Sequence, residues 1–98
     1  MKKIFLFIAF LWISLVSFAQ DGVNFEHLSF REALDKAKSE QKYVFMDCYT
    51  SWCGPCKNMT QNVFPQKKAG DYFNPKFICV KYDMEKGEGP ELGKRFEV

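Results

Sequence analysis

The sequence predicts an α/β domain containing a parallel βαβ crossover. Three observations carry this. Two short β-prone apolar runs, Tyr43–Tyr49 and 76–83, are separated by helix-compatible chain. A capped amphipathic segment precedes the first run, and a Pro-initiated segment follows the second. Helix–strand–helix–strand–helix order leaves a crossover as the short way to place both strands in one sheet.

The first predicted helix spans about 29–40. Ser29 and Glu32 have capping-box spacing, in which a hydroxyl and a carboxylate satisfy orphan amides. Phe30, Ala33, Leu34 and Ala37 then share one face, with Arg31, Asp35, Lys36 and Lys38 on the other. The run Tyr43–Tyr49 is apolar on both alternating faces, which predicts a strand covered on both sides. Asp47 is its one carboxylate. A helix is expected over 54–63, started by Pro55 and broken at Pro65, with a short resumption over 66–73. Asn74-Pro75 signals a turn. A second strand follows over 76–83, then a polar loop to Gly89. A last helix begins at Pro90 and turns Leu92 and Phe96 inward.

The 98 residues allow one domain. The first 19 read as a signal peptide: basic Lys2-Lys3, an apolar run, and a Ser17-x-Ala19 ending. The 16 residues from Ile4 to Ala19 fall short of the ~20 of a spanning helix, so cleavage rather than a stable membrane span is expected. The expectation is therefore a signal at 1–19, a domain at 20–98, and export to the periplasm or cell envelope. Lys2 and Lys3 account for the excess of 14 basic over 12 acidic residues. The remainder is formally neutral, which removes the electrostatic case for a nucleic-acid partner.

Cys48, Cys53, Cys56 and Cys79 all lie in the exported part, where disulfides persist. Cys53 and Cys56 are separated by two residues at a strand–turn–helix junction, a redox spacing. Exchange needs one exposed thiolate and a second thiol near enough to resolve the mixed disulfide. Cys53, at the helix start, is the expected nucleophile, and Cys56, shielded inside the first turn, the resolving thiol. Asp47 should lie beneath the helix carrying Cys56, with burial raising its pKa, as a proton acceptor for that thiol. A capping role is the plainer alternative for it. Trp52 should pack beside the site. A four-cysteine zinc site is disfavoured because Cys48 and Cys79 are single residues within strands. Haem attachment needs a histidine where Lys57 stands. No cofactor or metal is expected. Cys48 and Cys79 read as buried free thiols, with a mutual disulfide as a poorer alternative. His27, the only histidine, reads as a surface or staple residue rather than a base.

The run Phe45-Met46-Asp47-Cys48-Tyr49-Thr50-Ser51-Trp52-Cys53-Gly54-Pro55-Cys56-Lys57 resembles the strand, buried Asp and active-site helix of the thioredoxin superfamily. Lys81-Tyr82-Asp83 and Leu92–Val98 are similar to the family's next strand and helix. The resemblance covers about residues 28–98 and implies a thioredoxin-like fold, represented by its N-terminal βαβα portion. The family continues into a cis-proline loop and a C-terminal ββα unit, whose absence implies a truncated chain and leaves the strand holding Asp47 with an unpaired edge. The implied activity is thiol–disulfide exchange on protein disulfides, fed by an upstream thiol donor. Catalysis falls to Cys53, Cys56 and Asp47, with Trp52, Gly54, Pro55 and Lys57 in support. Gly54-Pro55 is the dipeptide of reducing members, which favours a reductase. The alternatives are a non-catalytic binding module and an inactive truncated fragment.

Overall fold

The structure is a computed structural model that describes residues 21–98. The expected signal segment, 1–19, lies outside the described residues. Helix α1 (Phe30–Glu40) is followed by β1 (Tyr43–Tyr49), α2 (Gly54–Asn58), α3 (Lys67–Phe73), β2 (Phe77–Asp83) and α4 (Gly89–Phe96). Helix α2 runs on into a π-helical turn over Met59–Val63, where the Phe64 amide donates to the Met59 carbonyl at 2.8 Å. Pro65 then ends the helix, because it has no N–H and its ring collides with the preceding turn.

Helix α1 starts where the sequence places it. The Glu32 amide donates to the Ser29 hydroxyl at 3.1 Å, and the Ser29 amide donates to Glu32 Oε1 at 2.9 Å. Such a cap is worth about 1 kcal/mol. At the other end Gln41 adopts φ 57°, and the Lys42 amide closes the turn on the Ala37 carbonyl.

Strands β1 and β2 run parallel, with Tyr43 opposite Phe77 and Tyr49 opposite Asp83. Side-chain alternation divides the core between the two faces of the sheet. On one face Ala33 and Ala37 of α1 meet Ile78 and Val80, flanked by Leu28, Val44, Met46 and Tyr82. On the other, Val23, Phe64 and Cys79 are buried among Phe25, Phe45, Phe73 and Phe77. Phe45 stacks 4.6 Å from Phe73, and Phe64 meets Phe25 edge-on at 5.1 Å.

The expected burial of the first strand on both sides is not found. Ile78, Cys79 and Val80 of β2 are buried, whereas β1 is only half-buried along Val44–Tyr49. The reason is position. Beyond β2 the N-terminal segment adds a parallel bridge at Phe25, and the Glu26 amide donates to the Cys79 carbonyl at 2.8 Å. Among the described residues β1 has no strand on its other side. Its outer flank also leaves Leu34 and Phe96 exposed, at 43% and 45%. Leu92 turns inward as expected, but Phe96 does not, resting edge-on against Phe30 at 5.6 Å.

That N-terminal segment carries no periodic signal in the sequence. It is held by the Asn74 side chain, which accepts from the Asn24 amide and donates to the Gly22 carbonyl. Gly22 and Gly70 permit the approach, since a Cβ at Gly70 would come within 2.4 Å of the Asp21 carbonyl oxygen.

Candidate functional site: the Cys53–Cys56 disulfide

Parallel strands deliver the chain at one end of the sheet, and the turn after β1 places Cys53 at the mouth of α2. Cys53 is the N-cap, in extended conformation at φ −80°, with Pro55 in the first turn. Proline fits there because the first-turn amides have no intrahelical acceptor. The two cysteines are joined in a disulfide, with Cα atoms 5.3 Å apart. The Cys56 amide donates to Cys53 Sγ at 3.2 Å, and the Lys57 amide donates to the Cys53 carbonyl at 3.2 Å. One helix-initiating amide is thus donated to the sulfur at the N-cap, and the next to the backbone carbonyl of the same residue.

Cys56 is half-buried like Cys53, so the expected contrast between an open and a shielded sulfur is not present in the disulfide. The two differ in what they face. Cys56 lines a cavity of about 320 Å³ with Tyr49, Thr50, Ser51, Lys57, Thr60, Gln61 and Lys81. Trp52 does not pack into the site. It is 73% exposed, and its indole Nε1 donates to Glu85 Oε1 at 3.0 Å. Gly54 is not demanded by space, since a Cβ there would meet nothing within 4 Å.

Asp47 shares its strand face with Phe45 and Tyr49, the face against which Phe64 packs. Strand β1 continues two residues beyond it, to Tyr49. Its register partner is Lys81. Burial pushes the Asp47 carboxyl above its ordinary range, and the Lys81 ammonium pulls part of that shift back. Lys81 also lies 5.3 Å over the Tyr49 ring, and both line the cavity that reaches Cys56. Lys81 thereby connects the register position opposite Asp47 to the cavity that Cys56 lines.

Lys81 and Glu85 were not singled out by the sequence reading. A signal existed for the first, because Lys81 is the one charge inside the run 77–82, as Asp47 is within β1. Nothing local marks Glu85, whose partner stands 33 positions away.

The two remaining cysteines are free. Cys79 lies opposite Phe45 and Cys48 opposite Tyr82, so they point to opposite faces of the sheet, three register positions apart. The fold therefore separates them beyond disulfide reach. Burial among the phenylalanines pushes the Cys79 thiol up to about 11, with Glu26 adding to the shift and Lys42 opposing it. Burial, then Asp47, raises Cys48 as well. His27 is exposed ahead of α1. Among the described residues no three His, Cys, Asp or Glu side chains gather as a metal site, and no helix is long and apolar enough to cross a membrane.

Comparison with known proteins points the same way. The profile of the Thioredox_DsbH family, described as a protein of unknown function, DUF255, matches residues 14–97. Thioredoxin-1 of Drosophila yakuba is 35% identical over 60 residues, covering 61% of this chain and 51% of that protein. The thiol:disulfide interchange protein DsbD of Pseudomonas fluorescens is 30% identical over 67 residues, 67% of this chain and 12% of the relative. This chain thus spans about half the length of the thioredoxin and a small part of the interchange protein. The solution structure of a candidate disulphide-isomerase from Bacteroides thetaiotaomicron superposes with a TM-score of 0.69 at 51% identity, covering 83% of this chain and 67% of that one. With its parallel βαβ core and its Cys-Gly-Pro-Cys turn at a helix mouth, this chain belongs to the Thioredox_DsbH family, within the thioredoxin superfamily.

Proposed function

We propose that this chain is a thiol:disulfide oxidoreductase that works by exchange through Cys53 and Cys56. One observation carries the reading: the Cys53–Cys56 disulfide sits at the mouth of α2 with a helix amide donated to Cys53 Sγ. The disulfide is the oxidised end of the cycle. In the reduced enzyme the Cys53 thiolate attacks a substrate disulfide, forming a mixed disulfide and releasing one substrate thiolate. Cys56, deprotonated with Asp47 as proton acceptor, then attacks the Cys53 sulfur. The second substrate thiolate leaves, the Cys53–Cys56 bond forms, and two electrons have passed to the substrate. A dithiol donor must return them for the next turnover.

The reducing direction is supported by Gly54-Pro55 and by the similarity to a thioredoxin. Work in the cell envelope is supported by the basic and apolar start of the sequence and by the similarity to DsbD. Trp52, Gly54, Pro55 and Lys57 frame the exposed rim that a protein substrate would meet.

The test is covalent trapping. Cys56→Ser should accumulate mixed disulfides through Cys53, released by reductant, and Cys53→Ser should form none. A Cys56→Ser protein that binds partners without covalent adducts would instead mark a binding module whose cysteines are structural.

A further inference from the structure

A tryptophan left 73% exposed beside a reactive sulfur is held by one polar contact, its indole N–H on Glu85 Oε1 at 3.0 Å. Glu85 is itself fixed. Its amide donates to the Asp83 carboxylate at 2.9 Å, and the Met84 amide before it donates to the Tyr49 carbonyl at 2.7 Å. The loop after β2 is thus tied to the end of β1, and the carboxylate reaches from there to the residue next to Cys53. Asp83 adds a second carboxylate at the same strand end. Around Cys56 the sign reverses, because Lys57 and Lys81 line the cavity that reaches that sulfur. Carboxylates thus gather at the loop that holds Trp52, the residue before Cys53, while Lys57 and Lys81 line the cavity at Cys56, with Asp47 opposite Lys81 in the strand register.

We propose that Glu85 is a specificity-determining residue of the exchange site, holding the Trp52 indole beside Cys53 and favouring disulfides with a cationic side chain next to the attacked cysteine. This rests on the reading of Cys53–Cys56 as the exchange site. Rim charges of this kind steer and select partners more than they bind them. At physiological salt they act over roughly 8 Å, so only the residues flanking the attacked sulfur should be read.

The experiment uses the full chain and two model peptides with one interchain disulfide each, identical except for Lys or Glu beside the attacked cysteine. Glu85→Gln keeps an acceptor for the indole and removes the charge. It should leave the Trp52 indole N–H cross-peak in place and lower the Lys-over-Glu ratio of kcat/KM by about threefold. Glu85→Ala should move that cross-peak and slow exchange with both peptides. Asp35→Asn makes the same charge change on α1, across the sheet from Cys53, and should leave the ratio alone. An unchanged ratio in Glu85→Gln, an equal change in Asp35→Asn, or an unmoved indole signal in Glu85→Ala overturns the proposal. A wild-type chain that exchanges neither peptide overturns the exchange reading itself and the preference with it, while the indole signal still reports whether Glu85 holds Trp52.

Discussion

Asp47 stands directly opposite Lys81 in the parallel register, on the sheet face against which Phe64 packs. The pair joins a carboxyl raised by burial to the one cation that partly offsets the rise. Neither strand could supply this alone. It exists because the crossover brings β2 alongside β1 in a fixed register.

The raised carboxyl makes stability pH-dependent in a definite sense. The native state holds the Asp47 proton to higher pH than the unfolded chain, whose carboxyl titrates near the ordinary 3.8. Stability is therefore lost as pH climbs from that value through the raised native one. Asp47→Asn should be more stable than wild type at pH 7, and the difference should vanish below about pH 4. Urea midpoints at the two pH values test this. The same substitution should slow resolution of the mixed disulfide by roughly a hundredfold, the low end of general-base contributions. Stopped-flow exchange with a model disulfide measures it.

The Cys79 thiol, at about 11 and 1% exposed, should be chemically silent. At pH 8 only about one molecule in a thousand carries the thiolate. Iodoacetamide added to the native oxidised chain should label Cys79 at a negligible rate and Cys48 slowly. In urea it should add two labels. Rapid native labelling of Cys79, read by mass spectrometry, would contradict the packing described.

Phe64 joins the π-turn after α2 to the core, meeting Phe25 and Phe45 while its carbonyl accepts from the Val23 amide. Phe64→Ala should cost about 3–5 kcal/mol, a large part of the stability of a domain this small. Tyr72→Ala, at a position 55% exposed, should cost far less. Urea unfolding followed by circular dichroism compares them.

What could be read from the sequence was local. Ser29 and Glu32 announce the start of α1, Pro55 and Pro65 bracket α2, and β-prone apolar runs mark both strands. The two-residue spacing of Cys53 and Cys56 carried the chemistry. What escaped depends on contacts far apart in sequence. Val44–Tyr49 read as fully covered because apolar content does not reveal which strand lies at a sheet edge. Phe96 has the spacing of a buried residue but lands on that open flank. The clamp of Asn74 on residues 22–24 spans some fifty positions, and Trp52 finds Glu85 across an intervening strand. The π-turn over Met59–Val63 leaves no compositional trace.

The central claim, that Cys53 and Cys56 form a working redox pair, is tested most directly by its reduction potential. The full chain is equilibrated in dithiothreitol redox buffers, the free thiols are alkylated, and the oxidised fraction is read by gel shift. A single two-electron transition near −270 mV, about that of thioredoxin, is the predicted result. A midpoint near −120 mV, about that of a strong oxidant, would contradict the reducing role. A pair that titrates like cysteines in an unfolded peptide would contradict the claim that this fold builds the site.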